Sequence, residues 1–268
     1  MIRVGVIGAR GRMGQMVCRA VADQDDMALV AAVDRSHVGE SIGKLIGHPK
    51  LDVSIVDELD ALMDADTEVA VDFTHPDVVM EGIRWAIEHA MHIVVGTTGF
   101  TEERLDEVAR MIELENSETN IIIAPNFAIG AVLMQRFAAV ASHYLPAVEV
   151  IELHHDGKAD APSGTASTTA ERIARERSDD YRGPSAESVP GVRGGEVEGI
   201  RVHSVRLPGL VAHQEVILGG LGQTLTIRHD SMDRSSFMPG VLLAVRAVST
   251  RPGLTVGLEP LLEFPEIR

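Results

Sequence analysis

The sequence predicts an α/β protein in two parts, an N-terminal doubly wound parallel sheet and a second α/β domain with a mixed sheet. Three observations carry this. Up to Ala124, short β-branched runs alternate with longer amphipathic segments, the pattern of parallel strands joined by crossover helices. Those runs are continuously apolar or nearly so, which suits strands covered by helices on both faces, since a strand with one wet face would alternate. After Pro125 the texture changes, and a late run sets Leu225 and Ile227 against Thr224, Thr226 and Arg228, as an antiparallel sheet with one exposed face requires.

In the first part, strands are expected at Ile2 to Ile7, Leu29 to Val33, Val53 to Val56, Val69 to Phe73, Ile93 to Val95 and Ile121 to Ala124. Helices are expected at Met13 to Asp23, Pro76 to His89 and Glu102 to Glu115. Two carry start signals: Thr74 and Thr101 each offer a capping oxygen, with acidic residues in the turn that follows. The second part reads as a helix from Ile129 to Tyr144, a strand from Val148 to Leu153, a polar stretch to Thr165 and a helix to Arg177. Residues 178–199, rich in Gly, Ser, Pro and charge, read as a long surface loop. Strands follow at Val202 to Leu207, Val211 to Leu218 and Thr224 to His229, then a helix from Phe237 to Val248 and a tail that suits either domain.

Composition narrows the function. Among 268 residues, 40 acidic side chains stand against 24 basic ones, a formal net charge of −16. That field repels phosphate backbones and anionic lipid, so neither nucleic acid nor membrane is expected as a partner. The single cysteine, Cys18, excludes an intrachain disulfide and a cysteine metal cluster and fits a cytoplasmic protein. The longest mostly apolar run, Ile121 to Leu133, contains Asn126 and is too short for a membrane span, and no signal peptide is expected.

The segment GARGRMG follows the first strand and opens the first helix, with Gly8, Gly11 and Gly14 where a Cβ would block a diphosphate and where helix N–H groups meet the anion. The strict glycine pattern is not matched, because Ala9 takes the first position. Asp34, ending the second strand, suits the ribose hydroxyls of a nicotinamide dinucleotide. Its charge opposes a 2′-phosphate, whereas Arg10, Arg12 and Arg35 attract one, so both NADH and NADPH are expected. The loops Gly96 to Gly99 and Ala124 to Phe127 leave strand ends at the same edge, where ligands of open α/β sheets bind.

A second cluster, ELHHDGKADAPSGTA from Glu152 to Ala166, holds His154, His155, Lys158 and a Ser163-Gly164-Thr165 helix start. Lys158 is one of three lysines among the 24 basic residues, which marks it in an arginine-rich chain. The amides and hydroxyls of residues 163–165 would make an anion site beside these cations, fit for an acidic substrate. A competing reading gives His154, His155 and Asp156 to a metal. Adjacent histidines on a strand point to opposite faces, however, and no metal is expected.

Taken together, GARGRMG, DFT at Asp72, GTTGF at Gly96, APNFAIG at Ala124, HHDGKADAPSGTA at His154, VRLPGLVAHQEV and LTIRHDSMDRSSF resemble the dihydrodipicolinate reductase family, in its actinobacterial style and over essentially the whole chain. The resemblance implies an N-terminal Rossmann-like domain, 1–127 with 241–268, and a substrate-binding and tetramerisation domain, 128–240, with a hinge between them. It implies NAD(P)H-dependent reduction of 4-hydroxy-tetrahydrodipicolinate, a small dicarboxylate, to tetrahydrodipicolinate with loss of water, in the diaminopimelate route to lysine, by a cytoplasmic homotetramer. By motif, His154 and Lys158 are the proton-handling residues, and His155, Ser163, Gly164 and Thr165 bind substrate. Gly8, Ala9, Arg10, Gly11, Arg12, Met13, Asp34, Arg35, Gly96, Thr97, Thr98, Ala124, Pro125, Asn126 and Phe127 line the cofactor. Arg10 stands where many relatives carry glycine. Two other readings are a dehydrogenase of another small acid and a dinucleotide sensor without turnover; the sensor leaves the paired histidines and the lysine without a purpose.

Overall fold

The structure is a computed structural model and describes residues 1–97, 99–184 and 186–264. The chain divides into two compact units, Met1–Phe127 with Phe237–Arg268, and Ala128–Ser236.

The first unit runs β1 (Ile2–Ile7), α1 (Arg12–Ala22), β2 (Met27–Val33), α2 (Ile42–Ile46), β3 (Ile55–Val56), α3 (Ala61–Asp64), β4 (Val69–Asp72), α4 (Val79–Glu88), β5 (His92–Val95), α5 (Glu102–Leu114) and β6 (Ile121–Ile123). The second unit follows with α6 (Ile129–Ser142), β7 (Ala147–His154), α7 (Gly164–Glu176), β8 (Gly195–Val197), β9 (Ile200–Arg206), β10 (Ala212–Gly220) and β11 (Gln223–Ser231). The chain then returns to the first unit with α8 (Met238–Ala247) and β12 (Leu254–Val256).

Seven parallel strands in the order β12-β6-β5-β4-β1-β2-β3 make the first sheet. Burial explains its composition: all four residues of β4 and all three of β6 are buried, so no alternation survives. The tail, left open by the sequence, adds β12 beside β6. Gly240 of α8 lies against this sheet's last loop so closely that a Cβ would stand 2.0 Å from the Phe127 carbonyl oxygen. The strand order reverses at β1, whose neighbours are β2 and β4. The register sets Ile7, Val33, Asp72, Val95 and Ile123 in one row at the carboxyl edge.

The expected cap at Thr74 is not a cap. Its amide and hydroxyl both donate to Asp72 Oδ1, at 2.8 and 2.7 Å, so the residue finishes β4 and α4 starts later, at Val79. Thr101 does cap α5, accepting from the Arg104 amide.

The second unit is a five-stranded mixed sheet, β11-β10-β7-β9-β8, with α6 and α7 on one face. The short strand β8 breaks the expected long loop. The alternation expected of β11 is only partly met, since Leu225 is 40% exposed on this edge strand. On the helix-covered face the core is Val148 and Val150 of β7, Ile200 and Val202 of β9, and Val216 and Leu218 of β10, packed on Met134, Ala138, Ala166, Ala170 and Ile173. Two residues further along each strand the same face turns polar: Glu152 and His154, Ser204 and Arg206, and Gln214.

Candidate active site

The loop after β1 is shaped by backbone contacts. Gly8 has φ +78°, and a Cβ there would approach the Phe73 carbonyl oxygen to 3.0 Å. At Gly14 a Cβ would stand 2.0 Å from the Gly8 carbonyl oxygen, which is how close α1 comes to the loop. Gly11 caps α1 without a side-chain hydrogen bond, so no side chain competes for the first amides. Arg10 donates its amide to Asp34 Oδ2 at 2.9 Å, and Ser36 donates to Asp34 Oδ1 through its amide and hydroxyl. Burial opposes ionisation of Asp34, but these donors outweigh it and hold its pKa below the ordinary value.

The buried Arg10 Nε has no hydrogen-bond partner among the described residues. Ala9 is buried, Met13 half-buried and Arg12 exposed. Arg35 pairs with Glu81 at 3.0 Å on the surface. A cleft of about 720 Å³ opens here, lined by Gly8, Gly11, Asp34, Arg35, Thr74 and Trp85 among others.

The loops after β5 and β6 share this edge. Gly96 leaves no room for a side chain, since a Cβ would stand 2.2 Å from the Phe73 ring. That ring lies 5.8 Å from the ring of Phe127. Thr97 is buried and donates to Asp72 Oδ1 at 3.5 Å. Burial pushes the pKa of Asp72 up to about 6 against these donors. Ala124 is buried, Pro125 exposed and Asn126 half-buried, while Thr98 lies outside the described residues.

In the second unit, Glu152 is a fully buried carboxylate whose two oxygens accept from several donors. Oε2 accepts from His154 Nδ1 at 2.5 Å and Arg206 Nη1 at 2.9 Å; Oε1 accepts from Arg206 Nη2 at 2.8 Å and the Ser163 amide at 3.3 Å. Burial opposes its ionisation, but Arg206, Ser204 and His154 together hold its pKa below the ordinary value. Burial, with the charges of Lys158 and Arg206, lowers the pKa of His154 against the opposing effect of Glu152, which favours the neutral imidazole. Lys158 Nζ donates to both oxygens of Asp160, at 2.7 and 2.9 Å, and Arg206 Nη2 donates to the Asp160 carbonyl oxygen at 2.5 Å. Ser163 caps α7, its Oγ accepting from the Ala166 amide, with Gly164 exposed behind it and Thr165 half-buried. His155 is exposed past the strand end. Among the described residues no group of three His, Cys, Asp or Glu is arranged to hold a metal ion.

Residues 2–127 match the model of the dihydrodipicolinate reductase N-terminus, and residues 130–262 that of its C-terminus. The chain belongs to the dihydrodipicolinate reductase family. A 4-hydroxy-tetrahydrodipicolinate reductase of Nocardia farcinica (strain IFM 10152) is 55% identical, over 98% of this chain and 99% of that protein. The enzyme of that name from Mycolicibacterium vanbaalenii is 52% identical, over 98% and 100%. A dipicolinate-bound dihydrodipicolinate reductase from Paenisporosarcina sp. TG-14 superposes with a TM-score of 0.85 at 42% identity, over 98% and 100%.

His154, Lys158 and Ser163 stand together in one segment of the sequence, whereas Glu152 and Arg206, which join them in the structure, do not stand out locally. A period-2 count would have found them: Glu152 falls on the buried side with Val148 and Val150, and Arg206 with Ile200 and Val202. Asp160 orients a side chain, holding Lys158 Nζ with both carboxylate oxygens.

Proposed function

We propose that the chain performs its family's reaction, the reduction of 4-hydroxy-tetrahydrodipicolinate to tetrahydrodipicolinate with loss of water by NADH or NADPH, with the residues named above in the following roles. The first unit fits the cofactor: its loop admits no Cβ at Gly14, its helix start has no side-chain cap, and the buried Arg10 Nε lacks a partner. Gly8, Ala9, Arg10, Gly11, Arg12 and Met13 would hold the diphosphate, and Asp34 with Arg35 the adenosine ribose. Gly96, Thr97, Thr98 and Ala124 to Phe127 would hold the nicotinamide end. When bound, the reduced nicotinamide supplies the hydride.

The second unit supplies an anion seat and proton transfer. The amides opening α7 and the Ser163 and Thr165 hydroxyls receive a substrate carboxylate, with Gly164 leaving it room and His155 beside it. Loss of the substrate hydroxyl as water leaves a conjugated cyclic imine, and hydride addition leaves electron density that a proton must meet. Lys158, steadied by Asp160, donates that proton; His154, neutral with Nε2 unprotonated, accepts the ring C–H proton lost in the dehydration and passes it to the departing hydroxide, which leaves as water. The observation that carries this reading is the gathering of His154, the α7 start and the Asp160 turn, whose carboxylate holds Lys158, around one buried carboxylate–guanidinium pair.

Two further proposals belong to the whole protein. It is a homotetramer, a reading supported by β11, a nine-residue edge strand with mostly exposed side chains that needs a cover. It works in the cytoplasm, in keeping with a lone buried cysteine and with no helix among the described residues long and apolar enough to cross a membrane. Light scattering should return about four chain masses.

The deciding assay supplies NADH or NADPH with the condensation product of pyruvate and aspartate semialdehyde and follows cofactor oxidation. Turnover is expected to fall about 10² to 10⁴-fold for Lys158→Ala or His154→Ala. A wild-type rate no faster than that of the double variant would refute the reading.

A further inference from the structure

We propose that Glu152, held by Arg206, is a positioning residue that fixes the tautomer of His154 and, through the same carboxylate, sets the start of α7. This rests on the reading above of His154 as a proton-handling group. A carboxylate only accepts, so the 2.5 Å contact of Glu152 Oε2 requires the His154 proton on Nδ1. That leaves Nε2 as the free nitrogen and the one group of the ring able to exchange a proton with substrate. The register explains why Glu152 can reach three elements at once. It sits opposite Ser204 on β9 and Gln214 on β10, with His154 and Arg206 paired one row further on, and its other oxygen reaches the first turn of α7. Arg206 neutralises the buried charge in a two-point contact and also grips the Asp160 carbonyl oxygen, in the turn that carries Lys158. One anchor thereby sets the histidine, the lysine-bearing turn and the anion seat.

The charged groups facing this carboxylate are Arg206 and His154, with Lys158 and Asp160 beyond them. Glu152→Gln separates the roles by simple donor counting. The amide offers one acceptor and one donor where the carboxylate offered two acceptors, so one side of the site must change. Arg206 and the Ser163 amide only donate; His154 and the Ser204 hydroxyl can turn from donor to acceptor, and of the two only His154 changes tautomer in doing so. The variant is therefore expected to keep its amide oxygen toward Arg206 Nη2 and the Ser163 amide, to give up the Arg206 Nη1 contact, and to reverse His154 to the Nε2-protonated form.

The test is a long-range nitrogen–proton NMR correlation of the histidine rings in the full-length protein without cofactor, near neutral pH, for wild type and Glu152→Gln, with His154→Gln to assign the signal. Alongside it run kcat, the binding of pyridine-2,6-dicarboxylate and the thermal midpoint. Wild type should show His154 protonated on Nδ1. The variant should show the reverse, with kcat down about 10² to 10⁴-fold and dicarboxylate binding changed less than about threefold. An Nε2-protonated His154 in wild type overturns the proposal whether or not the variant folds. So does a folded variant that keeps the wild-type tautomer, or one whose kcat does not fall. A wild-type protein with no turnover at all would instead remove the functional reading and leave the tautomer result standing.

Discussion

The helix starts at Gly11 and Ser163 share a plan, a strand end passing through a loop into an N-terminus, yet opposite means build them. Around Gly11 the fit is made by backbone: Gly8 with positive φ, Gly14 against the Gly8 carbonyl, and no capping side chain. Around Ser163 it is made by side chains: a capping hydroxyl, a buried carboxylate on the Ser163 amide and a guanidinium behind it. The buried carboxylates differ in the same way. Asp72, beneath the first loop system, accepts among the described residues from the Thr74 amide and the hydroxyls of Thr74 and Thr97, and burial drives its pKa up to about 6. Glu152, just as buried, has Arg206 and His154 and moves the other way. Holding a large exchangeable anion needs free amides and an absence of Cβ atoms. Moving a proton needs nitrogens whose protonation is fixed, and that takes charge.

The largest expected effect tests the backbone half of this contrast. In Gly14→Ala the new methyl would meet a backbone carbonyl at 2.0 Å, which no rotamer change relieves. Overpacking of this kind costs about 3 kcal/mol or more. The expected result is a clear fall in thermal midpoint together with loss of at least about 10² in NADH affinity, read by the fluorescence of the bound reduced cofactor. Unchanged binding would mean that the loop has slack the geometry denies.

Asp72→Asn tests the carboxylate half through its pH dependence. A folded-state pKa of about 6 against an ordinary 3.8 means that the native state holds this proton more tightly than the unfolded chain. The stability tied to it is present below pH 4 or so and is lost as pH rises through about 6. Asparagine keeps the acceptor for Thr74 and Thr97 and removes the ionisation. Relative to wild type, the variant should gain stability between pH 4 and 7, levelling near 3 kcal/mol at most, at about 1.4 kcal/mol per pKa unit. Denaturant unfolding across that range measures it, and a difference that stays flat with pH would contradict the assignment. Glu152→Gln should show the opposite slope, costing more at pH 7 than at pH 4, because its carboxylate is stabilised rather than penalised by the fold.

Gly164→Ala separates what the protein needs from what a ligand needs. Unlike Gly14, a Cβ at Gly164 would meet no heavy atom within 4 Å, so the fold has room for it. If glycine is there for a substrate carboxylate, the alanine variant keeps its thermal midpoint and cofactor affinity while pyridine-2,6-dicarboxylate binding weakens about tenfold, or 1.4 kcal/mol. Equal dicarboxylate affinity in the two proteins would take Gly164 out of the site.

The same contrast explains what could be read from sequence. The parallel sheet was legible because strands buried on both faces must be apolar throughout, and Ile121 to Ile123 or Val69 to Val71 have few other uses. The loops at Gly8, Gly96 and Ala124 were legible as a set because strand ends of one parallel sheet share an edge. Thr74 was misread because a threonine before Pro76 satisfies a capping rule and an Asx-type turn equally well, and only the position of Asp72 decides between them. Glu152 and Arg206 were missed for a related reason: they lie 54 positions apart, and each reads locally as an ordinary strand charge. Period-2 counting puts each on the inner face of its own strand, but their pairing arises from the β7–β9 register, which no single segment reveals.

The smallest expected effect concerns the choice between NADH and NADPH. Arg35, beside Asp34, is one of the three arginines proposed to attract a 2′-phosphate, and its guanidinium is paired with Glu81 at 3.0 Å, with side chains 74% and 63% exposed. An exposed pair of this kind is worth up to about 1 kcal/mol. Glu81→Gln releases Arg35 without removing a buried group, so NADPH affinity should rise by no more than about fivefold while NADH affinity stays within error. Arg35→Ala should then lower NADPH affinity alone. If Glu81→Gln tightens both cofactors equally, the effect belongs to the overall negative charge of the chain, and Arg35 plays no part in discrimination.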